Sequence, residues 1–140
     1  MIRHLREGLS NISPFFLVII KTIFFVLERF FKEAGFVITV CDIEGNILDM
    51  NDKSANTFLA SGGYELIGKS LMNCHPEPAR TKLQDMLATP RTNAYTIEKN
   101  GVKKLIYQTP WFENGEFKGL IELSMEIPME MAHYVRKPAK

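Results

Sequence analysis

Two short apolar runs, Phe36-Val-Ile-Thr-Val-Cys41 and Ile47-Leu-Asp-Met50, flank the segment Asp42-Ile-Glu-Gly-Asn46, and this feature constrains the fold most. Runs this short, bounded by turn residues, read as strands. The Gly/Asn pair between them supplies the positive-φ residues that a tight hairpin needs. Helical spacing takes over from Ser54 to Leu59, and Gly62-Gly63 stops it.

The second half of the chain repeats this vocabulary. Pro76 and Pro78 open a helix whose apolar positions Leu83, Met86 and Leu87 share one face, and Thr89-Pro90 ends it. Three alternating runs follow. Tyr95 and Ile97 oppose Thr96 and Glu98. Leu105, Tyr107 and Trp111 share a face of the next run, and Phe117, Ile121, Leu123 and Met125 a face of the last. Asn100-Gly101 and Asn114-Gly115 are strong hairpin signals between them. Two strands, several short helices and a three-stranded meander predict an α+β fold with one antiparallel sheet.

Residues 14–33 stand apart from this body. Ser13 before Pro14 is a good helix start, and Gly35 a plausible stop. On a helical wheel, Lys21, Thr22, Glu28, Arg29, Lys32 and Glu33 fall within a sector of roughly 140°. Phe16, Ile19, Ile20, Ile23, Phe24, Val26, Leu27, Phe30 and Phe31 fill the rest. The apolar runs on either side of Lys21 are well short of the roughly 20 residues that a membrane crossing requires. No small-residue cleavage site marks a signal peptide, and the polar face mixes Lys and Arg with Glu, unlike that of a basic interfacial helix. The expectation is a long amphipathic helix that pairs with its copy in a second subunit through Phe16, Ile19, Ile20, Ile23, Phe24, Leu27, Phe30 and Phe31. Membrane attachment is the weaker alternative.

Composition closes off other classes. At 46% hydrophobic and 24% charged, the 140 residues can bury a core. A net charge of +1 without a basic stripe argues against nucleic acid. Cys41 and Cys74 fit neither a disulfide framework nor a metal pair, which favours reduced, cytoplasmic thiols. His4, His75 and His133 are too scattered for a metal site, and Cys74 and His75, being adjacent, diverge. Asp42 and Glu44 read as turn chemistry, and no Gly-rich phosphate loop is present. No catalytic residue is expected, and the chain reads as a non-enzyme.

The order Asp42, Gly45, Asn51, Gly63-Tyr64, Leu66-Ile-Gly68, Pro76-Glu-Pro-Ala-Arg80, Gly101, Gly115 and Gly119 resembles a PAS domain, a sensory fold of bacterial signalling proteins, over residues 35–127. The resemblance implies a five-stranded antiparallel sheet of order 2-1-5-4-3 with short helices on one face. It divides the chain into a helix (1–34), the PAS body (35–127) and a tail (128–140). The family's last strand usually runs through Asp-Ile-Thr into an effector helix. Here Glu126-Ile127-Pro128 replaces it, and the polar tail Met129–Lys140 leaves no room for an effector. The expected function is therefore a stand-alone, homodimeric sensory or interaction module that meets a signalling partner through a surface.

What such a domain binds is less constrained. Flavin is disfavoured because Asn73-Cys74 lies too far past Gly68 and His-Pro follows it. Haem is disfavoured because Leu83 occupies the position where oxygen-sensing relatives carry a ligand histidine, although His75 could ligate from elsewhere. Ile38, Val40, Leu105, Tyr107, Ile121 and Leu123 are expected to face inward with Phe58, Leu71, His75, Leu83, Met86 and Leu87. They would line a pocket for a small apolar ligand, or simply fill it, and the filled core without a cofactor is the preferred reading. A haem-binding or membrane-associated sensor subunit is the alternative.

Overall fold

The computed structural model describes residues 13–14 and 29–139. Pro14 and residues 29–32 are helical. The remainder of the expected N-terminal helix lies outside the described residues, and with it Phe16, Ile19, Ile20, Ile23, Phe24 and Leu27. Two bonds tie the helical residues 29–32 to the body: Asn51 Nδ2 donates to Phe31 O at 3.2 Å, and Lys32 Nζ pairs with Asp52 at 3.2 Å. Phe30 and Phe31 stay exposed, at 71% and 54%.

Strands β1 (Val37–Cys41) and β2 (Ile47–Met50) are joined through Asp42–Asn46, where Gly45 alone, and not the expected Gly45-Asn46 pair, takes a positive φ. Asp42 Oδ1 accepts from the backbone N–H groups of Glu44 at 2.9 Å and Asn46 at 2.8 Å, and Gly45 takes a φ of +82°. Helix α1 (Asp52–Thr57) begins ahead of the expected Ser54, because Asn51 Oδ1 caps it by accepting from Ser54 N at 3.0 Å. Three 3₁₀ turns (Leu59–Ser61, Gly63–Leu66 and Leu71–Cys74) lead to helix α2 (Ala79–Ala88). Strands β3 (Asn93–Lys99), β4 (Val102–Glu113) and β5 (Glu116–Ile127) form the meander. Both Asn-Gly turns place two successive residues at positive φ: Asn100 and Gly101 at 53° and 74°, Asn114 and Gly115 at 51° and 79°. That geometry matches the right-handed twist of the flanking strands.

The sheet order is β2-β1-β5-β4-β3, with every pairing antiparallel, in agreement with the order implied by the resemblance. Both helices pack on one face. Leu83 and Met86 of α2 are fully buried against Cys41, Ile47, Leu71 and Leu120. Burial of such a side chain contributes about 1.5–3 kcal/mol relative to leaving it in water.

The helix-covered face of the sheet is not the one that the hydrophobic pattern predicts. Val37, Thr39 and Cys41 of β1, Ile106 and Gln108 of β4, and Leu120 and Glu122 of β5 are the buried positions. Thr39 Oγ1 and Ser54 Oγ of α1 share a hydrogen bond of 2.7 Å, which fixes the direction of that face. Ile38, Val40, Leu105, Tyr107, Ile121 and Leu123 therefore lie on the opposite, outer face. Alternation carried the right period and the wrong phase, because both faces of this sheet hold apolar side chains and a slip of one residue exchanges them. Phe117 departs in the other sense. It packs against the core, because the β4–β5 register shifts by one at Trp111/Phe112.

Candidate functional site

Strand register assembles a polar row across the covered face. Thr39 pairs with Glu122, Glu122 with Gln108, and Gln108 with Asn93, so four strands each contribute one polar side chain at one level. Asn93 Nδ2 donates to Gln108 Oε1 at 2.7 Å, and Gln108 Nε2 donates to Glu122 Oε2 at 2.6 Å. A carboxylate buried to 7% exposure needs compensation, since an isolated buried charge costs several kcal/mol.

His75 supplies it from above. The 3₁₀ turn Leu71–Cys74 delivers the ring, whose Nδ1 donates to Leu71 O at 3.0 Å while Nε2 lies 3.5 Å from Glu122 Oε2. That second separation is within ion-pair range and longer than a good charge-assisted hydrogen bond. Arg80 Nε donates to the carbonyls of Met72 and His75, both at 3.2 Å, and so pins the turn to the start of α2. Among the described residues no buried side-chain nitrogen or oxygen lacks a partner.

The electrostatics follow from this geometry. Burial alone would push His75 down, but Glu122 and the Leu71 carbonyl outweigh it and hold the imidazole above the usual histidine range. Burial would push Glu122 up, and His75 with Gln108 reverses that, keeping the carboxyl below its ordinary value. The Cys41 thiol is pushed up to about 11, first by burial. Burial also raises Cys74. Thiols held in the protonated form are poor nucleophiles.

The residues singled out from sequence separate into two groups. Leu71, Leu83 and Met86 are core, with Phe58 and Leu87 packed against it, and His75 faces the polar row. Ile38, Val40, Leu105, Tyr107, Ile121 and Leu123 line the outer face instead. There, register sets Ile38, Leu123, Tyr107 and Ala94 side by side across four strands, flanked by Leu105 with Met125 and by Val40 with Ile121. Tyr107 is 37% exposed, and the other five are half-buried. Pattern reading missed Thr39, Asn93, Gln108 and Glu122. Part of the signal was present, since a two-residue turn at Asn100-Gly101 pairs Lys99 with Val102 and, counting back, Asn93 with Gln108.

Both ring nitrogens of His75 have partners within the protein, and Leu83 is fully buried in the core. A recess of about 260 Å³, lined by Ile97, Lys99, Asn100, Val102, Lys104 and Glu126, opens at the β3–β4 turn, away from the polar row.

No protein-family model and no curated protein matches the chain. Solved structures do. The PAS domain of an HTR-like protein from Haloarcula marismortui is 18% identical, with 76% of this chain and 99% of that chain covered and a TM-score of 0.54. The PAS domain of BvgS from Bordetella pertussis is 22% identical, with 76% and 88% covered and a TM-score of 0.56. A sensory box sensor histidine kinase from Vibrio cholerae is 14% identical, with 80% and 97% covered and a TM-score of 0.54. The chain carries a PAS-like domain.

Proposed function

We propose that this PAS-like chain is a sensory and protein-interaction module of signal transduction, dimeric through the outer face of its sheet together with its N-terminal helix. The observation that carries the reading is the apolar row Ile38–Leu123–Tyr107–Ala94 on the face opposite the helices. Contiguous apolar surface of this kind marks association sites. It belongs with the exposed Phe30 and Phe31 at the end of the N-terminal helix, which Lys32–Asp52 and Asn51–Phe31 fix to the body. A second copy is the favoured occupant, because a two-fold axis lets one self-complementary patch cover both faces. Neighbours from sensor proteins support a signalling role without naming this chain's partner.

The reading is of a non-catalytic protein. It is also not a reading of an apolar ligand on the inner face, where Thr39, Gln108 and Glu122 suit polar groups. Among the described residues no helix is long and apolar enough to cross a membrane.

Light scattering on the full chain tests the dimer. Leu123→Glu sets a charge in the middle of the outer face and is expected to weaken association by at least about 3 kcal/mol, roughly 150-fold in Kd. At concentrations low enough for both proteins to be monomeric, its unfolding midpoint should stay near that of the parent, because the outer face is not core. A parent chain that is monomeric, or a variant that dimerises as well as the parent, refutes the proposal.

A further inference from the structure

His75, at the end of the 3₁₀ turn Leu71–Cys74, and Glu122 of strand β5 add a polar contact to a turn that is otherwise held on the core by Leu71. We propose that this pair is a proton-operated latch, which holds the turn on the inner face of the sheet while it keeps one shared proton and releases the turn when that proton leaves.

The geometry demands the proton. A carbonyl oxygen can only accept, so the 3.0 Å bond to Leu71 O places a hydrogen on Nδ1. A neutral ring with its single hydrogen there turns the bare lone pair of Nε2 toward Glu122 Oε2, 3.5 Å away. Two acceptors then face each other in a buried site, and Gln108 Nε2 is the remaining donor to that oxygen. Moving the hydrogen to Nε2 instead would forfeit the Leu71 bond. Only the doubly protonated imidazolium, or its equivalent with the proton on the carboxyl, satisfies every atom.

The surrounding groups leave this pair in control near neutral pH. Facing Glu122 are Cys41 from β1, pushed up to about 11 first by burial, and Tyr95 from β3, raised by burial and by Glu122. Both stay protonated through the window in which histidine titrates. Gln108 from β4 is uncharged. Cys74, beside His75 in the turn, is raised by burial, and the Arg80 guanidinium from α2 binds the His75 carbonyl. The sign follows from linkage. A histidine held above its ordinary 6.5 stabilises the closed form fully below that pH. The stabilisation then falls about tenfold per pH unit on rising from there and is gone above the closed-state value. Glu122, held below its ordinary 4.5, keeps its charge above that value, so the latch is closed between the carboxylate and histidine ranges and opens toward alkali.

Imidazole Cε1–H resonances of the full chain, followed from about pH 5 to about pH 9, read the proton directly, with a histidine model peptide in the same buffer as the reference. His75 is expected to titrate above that peptide, and Glu122→Gln is expected to bring it back toward it. Exchange of the Asn73 and His75 amides should accelerate over the same pH window beyond the intrinsic rate, while β4–β5 amides keep their protection. If Glu122→Gln does not fold, His75→Gln serves: its urea stability should be flat across the window in which the parent loses stability. The proposal is overturned if His75 titrates with the model peptide, if Glu122→Gln leaves it unmoved, if turn exchange ignores pH, or if His75→Gln shows the parent's pH dependence.

Discussion

Gly119→Ala is expected to destabilise the domain by about 3 kcal/mol or more, among the largest effects of any single methyl added to this chain. Two causes combine. Gly119 has a φ of +143°, which side-chain-bearing residues rarely adopt. A Cβ there would also stand 1.9 Å from Cys41 O and 2.8 Å from Asp42 C, both backbone atoms that no rotamer change can move aside. The site is crowded by design of the sheet corner. Trp111 pairs across from Gly119, beside the register shift, and its Nε1 donates to the same Cys41 carbonyl at 2.9 Å. Urea unfolding measures the loss. Gly101→Ala is the matched control: φ is +74°, nothing lies within 4 Å of the added atom, and only conformational strain of about 1 kcal/mol is expected. Equal losses at the two positions would show that the close approach at Gly119 is absent.

Asn51→Ala should cost about 2–4 kcal/mol, because one buried amide serves three segments. Its Oδ1 accepts from Ser54 N and Ile38 N, both at 3.0 Å, so it caps α1 and holds β1 at once. Its Nδ2 donates to Phe36 O at 2.8 Å and Phe31 O at 3.2 Å, so it also secures the approach from the N-terminal helix. Alanine leaves all four backbone groups without that partner. Asn51→Asp separates the two halves: it retains the acceptor for the helix cap but turns a second oxygen toward the Phe31 and Phe36 carbonyls. Aspartate should therefore remain well short of the parent in thermal unfolding. Parent-like stability in either variant would contradict the role given to Asn51.

Local chemistry made most of the fold legible. The Asn100-Gly101 and Asn114-Gly115 turns, the Glu44-Gly45-Asn46 reversal and Pro78 ahead of α2 each specify backbone by a residue's own preferences, and those elements stand where the pattern puts them. What was not legible is which side of the sheet the helices cover. Ile38 and Val37 are both apolar neighbours in β1, as are Ile121 and Leu120 in β5, so hydrophobicity could not choose between phases. The choice rests on contacts distant in sequence, such as Thr39 with Ser54 and Glu122 with His75. The polar row was hidden for the same reason. Thr39, Gln108 and Glu122 look like the solvent side of alternating strands until register and burial place them inside.

The proposed dimer rests on the apolar side chains of the outer face, and a dilution series followed by methyl NMR tests that proposal most directly. As the full chain is diluted through its dissociation constant, the methyl resonances of Ile38, Leu105, Ile121 and Leu123 should move together along one binding curve, while those of Leu83 and Met86 stay fixed. Outer-face methyls that do not respond while the dimer dissociates, or a chain that is monomeric at every concentration, would contradict it.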